Sequence, residues 1–144
     1  MRGKVTINVI GVDLLAKELQ SKIDEIVSEA LFDYMDDLSE VSSAFAPKKT
    51  GQLETTYIAD VKRMKHGWRG RVTFRAMNGD FNYAIVMHEG FYNLGPISRT
   101  KPGGSSKYGM VSQEVGRRYL GGPFEQLVNP YMMDLAKRIA TQLR

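Results

Sequence analysis

One long apolar stripe dominates this chain, and any fold it adopts must give that stripe something to lie against. From Asp13 to about Val41 the residues Leu15, Leu19, Ile23, Ile26, Ala30, Tyr34, Leu38 and Val41 recur every three or four positions. That spacing keeps them on one face of an α-helix. Asp24, Glu25, Glu29, Asp33, Asp36 and Asp37 make the outer face of the same helix acidic. Pro47 brings no amide donor and disfavours helical geometry at Ala46, so the helix must be over before it.

The remaining segments read as a small sheet and a closing helix. "KVTINVIG" alternates Val5, Ile7 and Val9 with Thr6, Asn8 and Ile10, a period of two that predicts a short strand. In "APKKTGQLETT", Thr50 can cap the next turn, Gly51 permits a reversal and Leu53 supplies an apolar anchor, so this stretch turns the chain from helix to sheet. "TTYIADVKRM" and "RVTFRAM" form a hairpin joined around "KHGWRG", with Val72, Phe74 and Ala76 inward and Arg71, Thr73 and Arg75 outward. "YAIVMHEG" is a short buried strand or helical segment ending at Gly90. Phe91 to about Tyr119 shows no sustained periodicity and is rich in Gly, Ser, Pro and basic residues, the composition of a long functional or disordered insertion. Asn129 and Pro130 then suit the N-cap and first residue of an amphipathic helix carrying Met132, Leu135, Ile139 and Leu143, with Arg138 and Arg144 near its negative end. The expected fold is α+β: two helices on a small, mainly antiparallel sheet, in a single domain spanning 1–144 with an insertion at about 91–119.

Composition narrows the function classes. The 144 residues contain no cysteine, which removes disulfides, thiolate nucleophiles and cysteine-ligated zinc and fits a reducing cytoplasm. No apolar run is long enough for a membrane span, and the N-terminal alternation does not resemble a secretion signal. The net charge of +4 conceals an asymmetry. Residues 1–46 hold four Lys/Arg against nine Asp/Glu, a balance of −5, whereas residues 47–144 hold sixteen against seven, a balance of +9. Opposite signs on two parts of one molecule can draw copies together, or can simply be two solvated faces.

Catalytic groups do not assemble from this sequence. His88-Glu89 is the one adjacent pair that could move a proton, but "HEGFY" lacks the second histidine of a zinc helix. His66 sits in the hairpin turn, where exposure is the default. Ser105 and Ser106 in "PGGSSKYG" miss the phosphate-loop spacing. A nucleophile, a base and an orienting partner cannot be brought together, so no enzyme activity, metal or cofactor is expected. A nucleic-acid role has more support: Lys62, Arg63, Lys65, His66, Arg69, Arg71 and Arg75 crowd one hairpin with Trp68 at its tip. The competing reading is a solvated or partner-facing hairpin, since no recognition-helix pattern is present and one tryptophan is not a stacking platform.

Taken in order, "INVIGVDLLAKEL", the long helix, "APKKTGQLETT", the basic hairpin, "YAIVMHEG" and the final "NPYM" helix resemble the tail-completion or head-tail joining proteins of long-tailed bacteriophages, some labelled putative tail-component or minor capsid proteins. The residues that carry the resemblance are Pro47, Thr50, Gly51 and Leu53, then Tyr83, Ala84, His88, Glu89 and Gly90. Thr55 or Thr56 stands where such proteins commonly have serine, and the insertion matches no pattern. The resemblance implies a structural subunit, made in the host cytoplasm and placed in the virion neck. There, hexameric rings of such proteins join the head connector to the tail terminator or tail tube around the DNA channel. On this resemblance the motif residues become scaffold, with Thr50 capping, Gly51 permitting the reversal and Glu89 accepting backbone amides or pairing with a cation. The expected ring contact sets Asp33, Asp36, Asp37 and Glu40 of one subunit against Lys62, Arg63, Arg71 or Arg75 of the next. Phe91, Tyr92, Ile97 and Tyr108 of the insertion are expected to anchor it on a neighbour, the alternative being an unpartnered surface excursion.

Overall fold

The structure, a computed structural model, describes residues 4–10, 17–47, 57–75, 77–78, 81–90 and 94–143. Of residues 4–10, 17–18, 77–78, 81–83 and 86 the backbone alone is described. The chain is α+β. Strand β1 (Lys4–Ile10) is followed by helix α1 (Lys17–Phe45), strands β2 (Tyr57–Met64) and β3 (Gly67–Phe74), and the two-residue strands β4 (Met77–Asn78) and β5 (Phe81–Asn82). Helices α2 (Tyr83–Glu89), α3 (Pro96–Arg99) and α4 (Gly121–Gln142) complete it.

The helix expected from the apolar stripe is present and runs four residues past Val41, to Phe45. Ile23, Ile26, Ala30, Tyr34, Leu38 and Val41 are buried as the stripe predicts. Leu19 is largely exposed, and Asp13 and Leu15 lie outside the described residues. Val27, Leu31, Met35 and Phe45 are buried as well, so the covered arc is wider than one stripe. The reason is position: α1 packs on β2 and β3 and also on α4. Pro47, buried just after the helix, ends it as its missing donor requires.

The main sheet has the order β1-β3-β2, with both pairings antiparallel. β1 and β2 therefore run parallel to each other on either side of β3, and α1 is the connection between them. In β3, Gly70, Val72 and Phe74 are buried while Arg69, Arg71 and Thr73 alternate with them at partial exposure. The inner face lies on α1, so the outer face is turned away from it. Gly70 is where helix and strand come closest: a Cβ there would lie 2.8 Å from Met35 Cγ and Sδ. Register sets Val5, Ile7 and Val9 opposite Val72, Gly70 and Trp68, in accord with the alternation of the first strand.

Three expectations need correction. The hairpin turn is only Lys65 and His66, so Gly67, Trp68 and Arg69 belong to β3. Trp68 is thus no fingertip: it pairs with Arg63, packs against the core and donates from Nε1 to Asp24 Oδ1 at 3.3 Å. The final helix begins at Gly121, and Pro130 lies inside it rather than at its start. A mid-helix proline costs about 3 kcal/mol. Burial of Leu127, Tyr131 and Leu135, spaced by four, offsets that by fixing the same helical face on both sides of the proline. Finally, the segment between Leu94 and Gly121 has no regular structure beyond the single turn of α3 but is tied to its own chain. Lys101 Nζ donates to the carbonyls of Ser43 (3.0 Å) and Ala46 (2.6 Å), and the Gly116 amide donates to that of Phe45 (2.8 Å). The last turn of α1 has no basic residue of its own, so this segment supplies both its hydrogen bonds and its cation.

Candidate functional site

Of the residues that carried the phage resemblance, Ala84, His88 and Glu89 make the contacts that tie α2 to its neighbours. Thr50, Gly51 and Leu53 lie outside the described residues, as do Phe91 and Tyr92. Tyr83 opens α2, and Ala84 is fully buried, its carbonyl accepting the Tyr119 hydroxyl at 2.9 Å. His88 has no exposed surface. Its Nε2 accepts the Gly121 amide at 2.9 Å, which is one of the free amides at the start of α4. That acceptor role places the proton of the neutral ring on Nδ1, 2.9 Å from Glu89 Oε1. Burial lowers the pKa of His88, against the opposing pull of the Glu89 carboxylate. For Glu89, desolvation opposes ionisation but the His88 hydrogen bond outweighs it and leaves its pKa lowered. The pair is a bolt between α2 and α4, and a ring so enclosed cannot reach a substrate. Gly90, half-buried, follows the helix and lines a cleft of about 520 Å³ with Gln113, Arg117, Arg118, Glu125 and Gln126. Arg118 there sits at φ 59, in the left-handed region, its backbone N–H donating a hydrogen bond to the His88 carbonyl (2.8 Å).

A second polar cluster joins α1, α4 and the irregular segment. Asp37 is only 7% exposed; its Oδ2 accepts from Tyr131 Oη at 2.7 Å and from Ser106 Oγ at 2.6 Å. Tyr34 donates to Asp134 at 2.7 Å, and Arg138 bridges Asp134 (2.7 Å), Asp33 (2.8 Å) and the Tyr108 hydroxyl (3.1 Å). The rings of Tyr34 and Tyr131 stack at 4.8 Å, and Tyr108 meets both edge-on. Burial, reinforced by the carboxylate partners, raises the phenol pKa of Tyr34 and Tyr131. Desolvation disfavours the Arg138 cation, yet its acidic neighbours outweigh this and raise its pKa.

These contacts revise the expected interface. Asp37 was expected on an outer face and is instead inside, because it lies one helical step from Asp36 and points at α4. Asp33 is half-buried against Arg138, whereas Asp36 and Glu40 remain exposed. Tyr108 is packed between two tyrosines of its own subunit and so is no free anchor, while Ile97 is 52% exposed. Among the cations, Lys62 and Arg75 are exposed and Arg71 is half-buried on the outer sheet face. Arg63 reaches inward to Asp24 at 3.1 Å, stacked over Trp68.

The sequence reading missed two features. Arg138 does more than complement the helix dipole, and the signal for it is Asp134 four residues before. Phe32 falls off the apolar stripe, and that misfit is its signal: it is 54% exposed among the outward carboxylates of α1.

Among the described residues no cluster of three or more His, Asp or Glu could hold a metal ion, and no helix is long and apolar enough to cross a membrane. Comparison of the chain with protein-family models, with curated proteins and with solved structures finds no match.

Proposed function

We propose that this chain is a structural subunit of the bacteriophage neck, assembling as a homo-oligomeric ring that joins the head connector to the tail. The observation that carries the reading is the separation of charge between two faces of one subunit. Glu25, Glu29, Asp36 and Glu40 are exposed on α1, and Lys62, Arg69 and Arg71 stand on the outer face of a sheet whose inner face covers that helix. The two surfaces cannot neutralise each other within a subunit, but they can between subunits. The motif residues Ala84, His88 and Glu89 suit this role by fixing the shape of the body rather than by meeting a ligand. Ring closure then makes weak contacts sufficient, since the last contacts form at high effective concentration.

Negative-stain imaging and sedimentation of the purified protein test the reading together with deletion of its gene in the phage. Rings in the first case, and unjoined heads and tails in the second, are expected. A protein absent from mature particles refutes it. The exposed cations of the hairpin favour a second reading, a small basic nucleic-acid-binding protein. Under that reading monomers bind duplex DNA with an affinity that falls steeply with salt.

A further inference from the structure

The charged faces can be resolved to a specific contact. On α1, Glu25, Glu29, Phe32, Asp36 and Glu40 follow one another by three or four residues and are all exposed, with Lys22 at the N-terminal margin. They form a single acidic stripe with a phenyl ring at its middle, about 22 Å long at helical rise. On the hairpin, register aligns Ile58 with Thr73, Asp60 with Arg71, Lys62 with Arg69 and Met64 with Gly67. These residues alternate with the buried set, so they share the outer face. Each strand has eight residues, giving a platform about 26 Å long, enough to accommodate the stripe.

Three properties of that platform are unfavourable for an isolated subunit. Lys62 and Arg69 are like charges directly opposite each other, an arrangement that destabilises a strand pair. The Nε atoms of Arg69 and Arg71 are shut off from solvent without a hydrogen-bond acceptor. Ile58 is 65% exposed and Met64 40% exposed beside them. An incoming row of carboxylates relieves the first two, and an incoming apolar ring relieves the third.

We infer that the outer face of the β2–β3 hairpin docks the Glu25–Glu40 stripe of α1 from a second copy of this chain, with Phe32 seated among the guanidinium groups and the exposed Ile58 and Met64. The inference rests on the ring reading and supplies its contact. A phenyl ring stacks on guanidinium planes. The partly desolvated arginines have already met part of the cost of leaving water. A phosphate backbone could satisfy the cations but has no use for Ile58, Met64 or Phe32, which is why a protein surface is the better occupant. The two patches are different, so the contact is head-to-tail and leaves both ends of a pair open for further copies, the requirement for a ring.

Two charge-reversed variants test this by sedimentation velocity: Arg69→Glu with Arg71→Glu, and Glu29→Lys with Asp36→Lys. Circular dichroism melts confirm that each folds. Each variant alone is expected to self-associate about tenfold or more weakly than the wild type. An equimolar mixture is expected to recover assembly, because every interface then pairs an acidic with a basic patch, and Phe32→Ala is expected to weaken assembly without changing the melt. Folded variants that assemble like the wild type overturn this contact and leave the ring reading standing. A mixture that stays monomeric overturns it too, as does loss of duplex-DNA binding in the arginine variant with assembly unchanged. A wild type that is monomeric at every concentration overturns the contact, and absence from mature particles separately overturns the neck assignment.

Discussion

Replacing Tyr131 by phenylalanine isolates the most enclosed polar contact between α1 and α4. The ring stays, stacked on Tyr34 at 4.8 Å and edge-on to Tyr108 at 5.4 Å, so packing is nearly unchanged. What disappears is the hydroxyl that donates to Asp37 at 2.7 Å, leaving the carboxylate with Ser106 as its remaining side-chain donor. A hydrogen bond to a charged group is worth about 1.5–3 kcal/mol, and nearly all of that should be felt at a carboxylate so little exposed. Tyr131→Phe is therefore expected to lower stability by about 2 kcal/mol, a fall in Tm of about 4–8 °C for a chain of this size. Calorimetry and urea denaturation at neutral pH measure it. The half-exposed Tyr57, which keeps its ring contact with Phe74 when made phenylalanine, serves as control and should change by no more than about 0.5 kcal/mol. A loss for Tyr131→Phe inside that control range would refute the idea that the Asp37 cluster locks the two helices.

Two further outcomes follow from the same contacts. The folded protein holds the His88 proton more weakly than the unfolded chain does, so stability from this group is complete above about pH 6.5 and is lost as pH falls below it, by at most about 1.4 kcal/mol per pH unit for one proton. Urea midpoints from pH 8 to 5 check the slope, which His88→Gln should flatten while lowering stability throughout. Gly103 stands at φ +76, and a Cβ on it would lie 2.6 Å from Phe45 Cε1, so Gly103→Ala should cost about 2 kcal/mol or more in a thermal melt. Gly95→Ala, in open space at φ −71, should cost almost nothing.

Periodicity made α1 and the hairpin legible, because burial of one face leaves a regular trace in sequence. It failed where order comes from irregular contacts. The segment that looked free is held by Lys101 on the end of α1, Ser106 on Asp37 and Tyr119 under α2, and such bonds have no period. The start of α4 was hidden for a different reason. Gly121-Gly122-Pro123 is a poor helix opening by composition, and Asn129-Pro130 a good one, yet the buried face through Leu127 and Tyr131 overrode both local preferences. Asp36 and Asp37 show the limit most sharply: they are adjacent and alike, and the donors that receive the inward one, Tyr131 and Ser106, lie 94 and 69 residues away in sequence.

That sorting of carboxylates bears directly on assembly. Asp24 is bound to Arg63 and Trp68, Asp33 to Arg138, and Asp37 to Tyr131 and Ser106, so these three are committed inside the subunit. Glu25, Glu29, Asp36 and Glu40 stay on the open side of α1, gathered by helical spacing around Phe32. The internal pairs remove charge from the helix without removing the imbalance, and they also fix α1 against sheet and α4, so the stripe is presented on a rigid support. Surface ion pairs are worth about 1 kcal/mol at most when isolated and flexible. A row of them held in register, with an aromatic ring at its centre, has the geometry that lets charge set orientation while apolar burial supplies the adhesion.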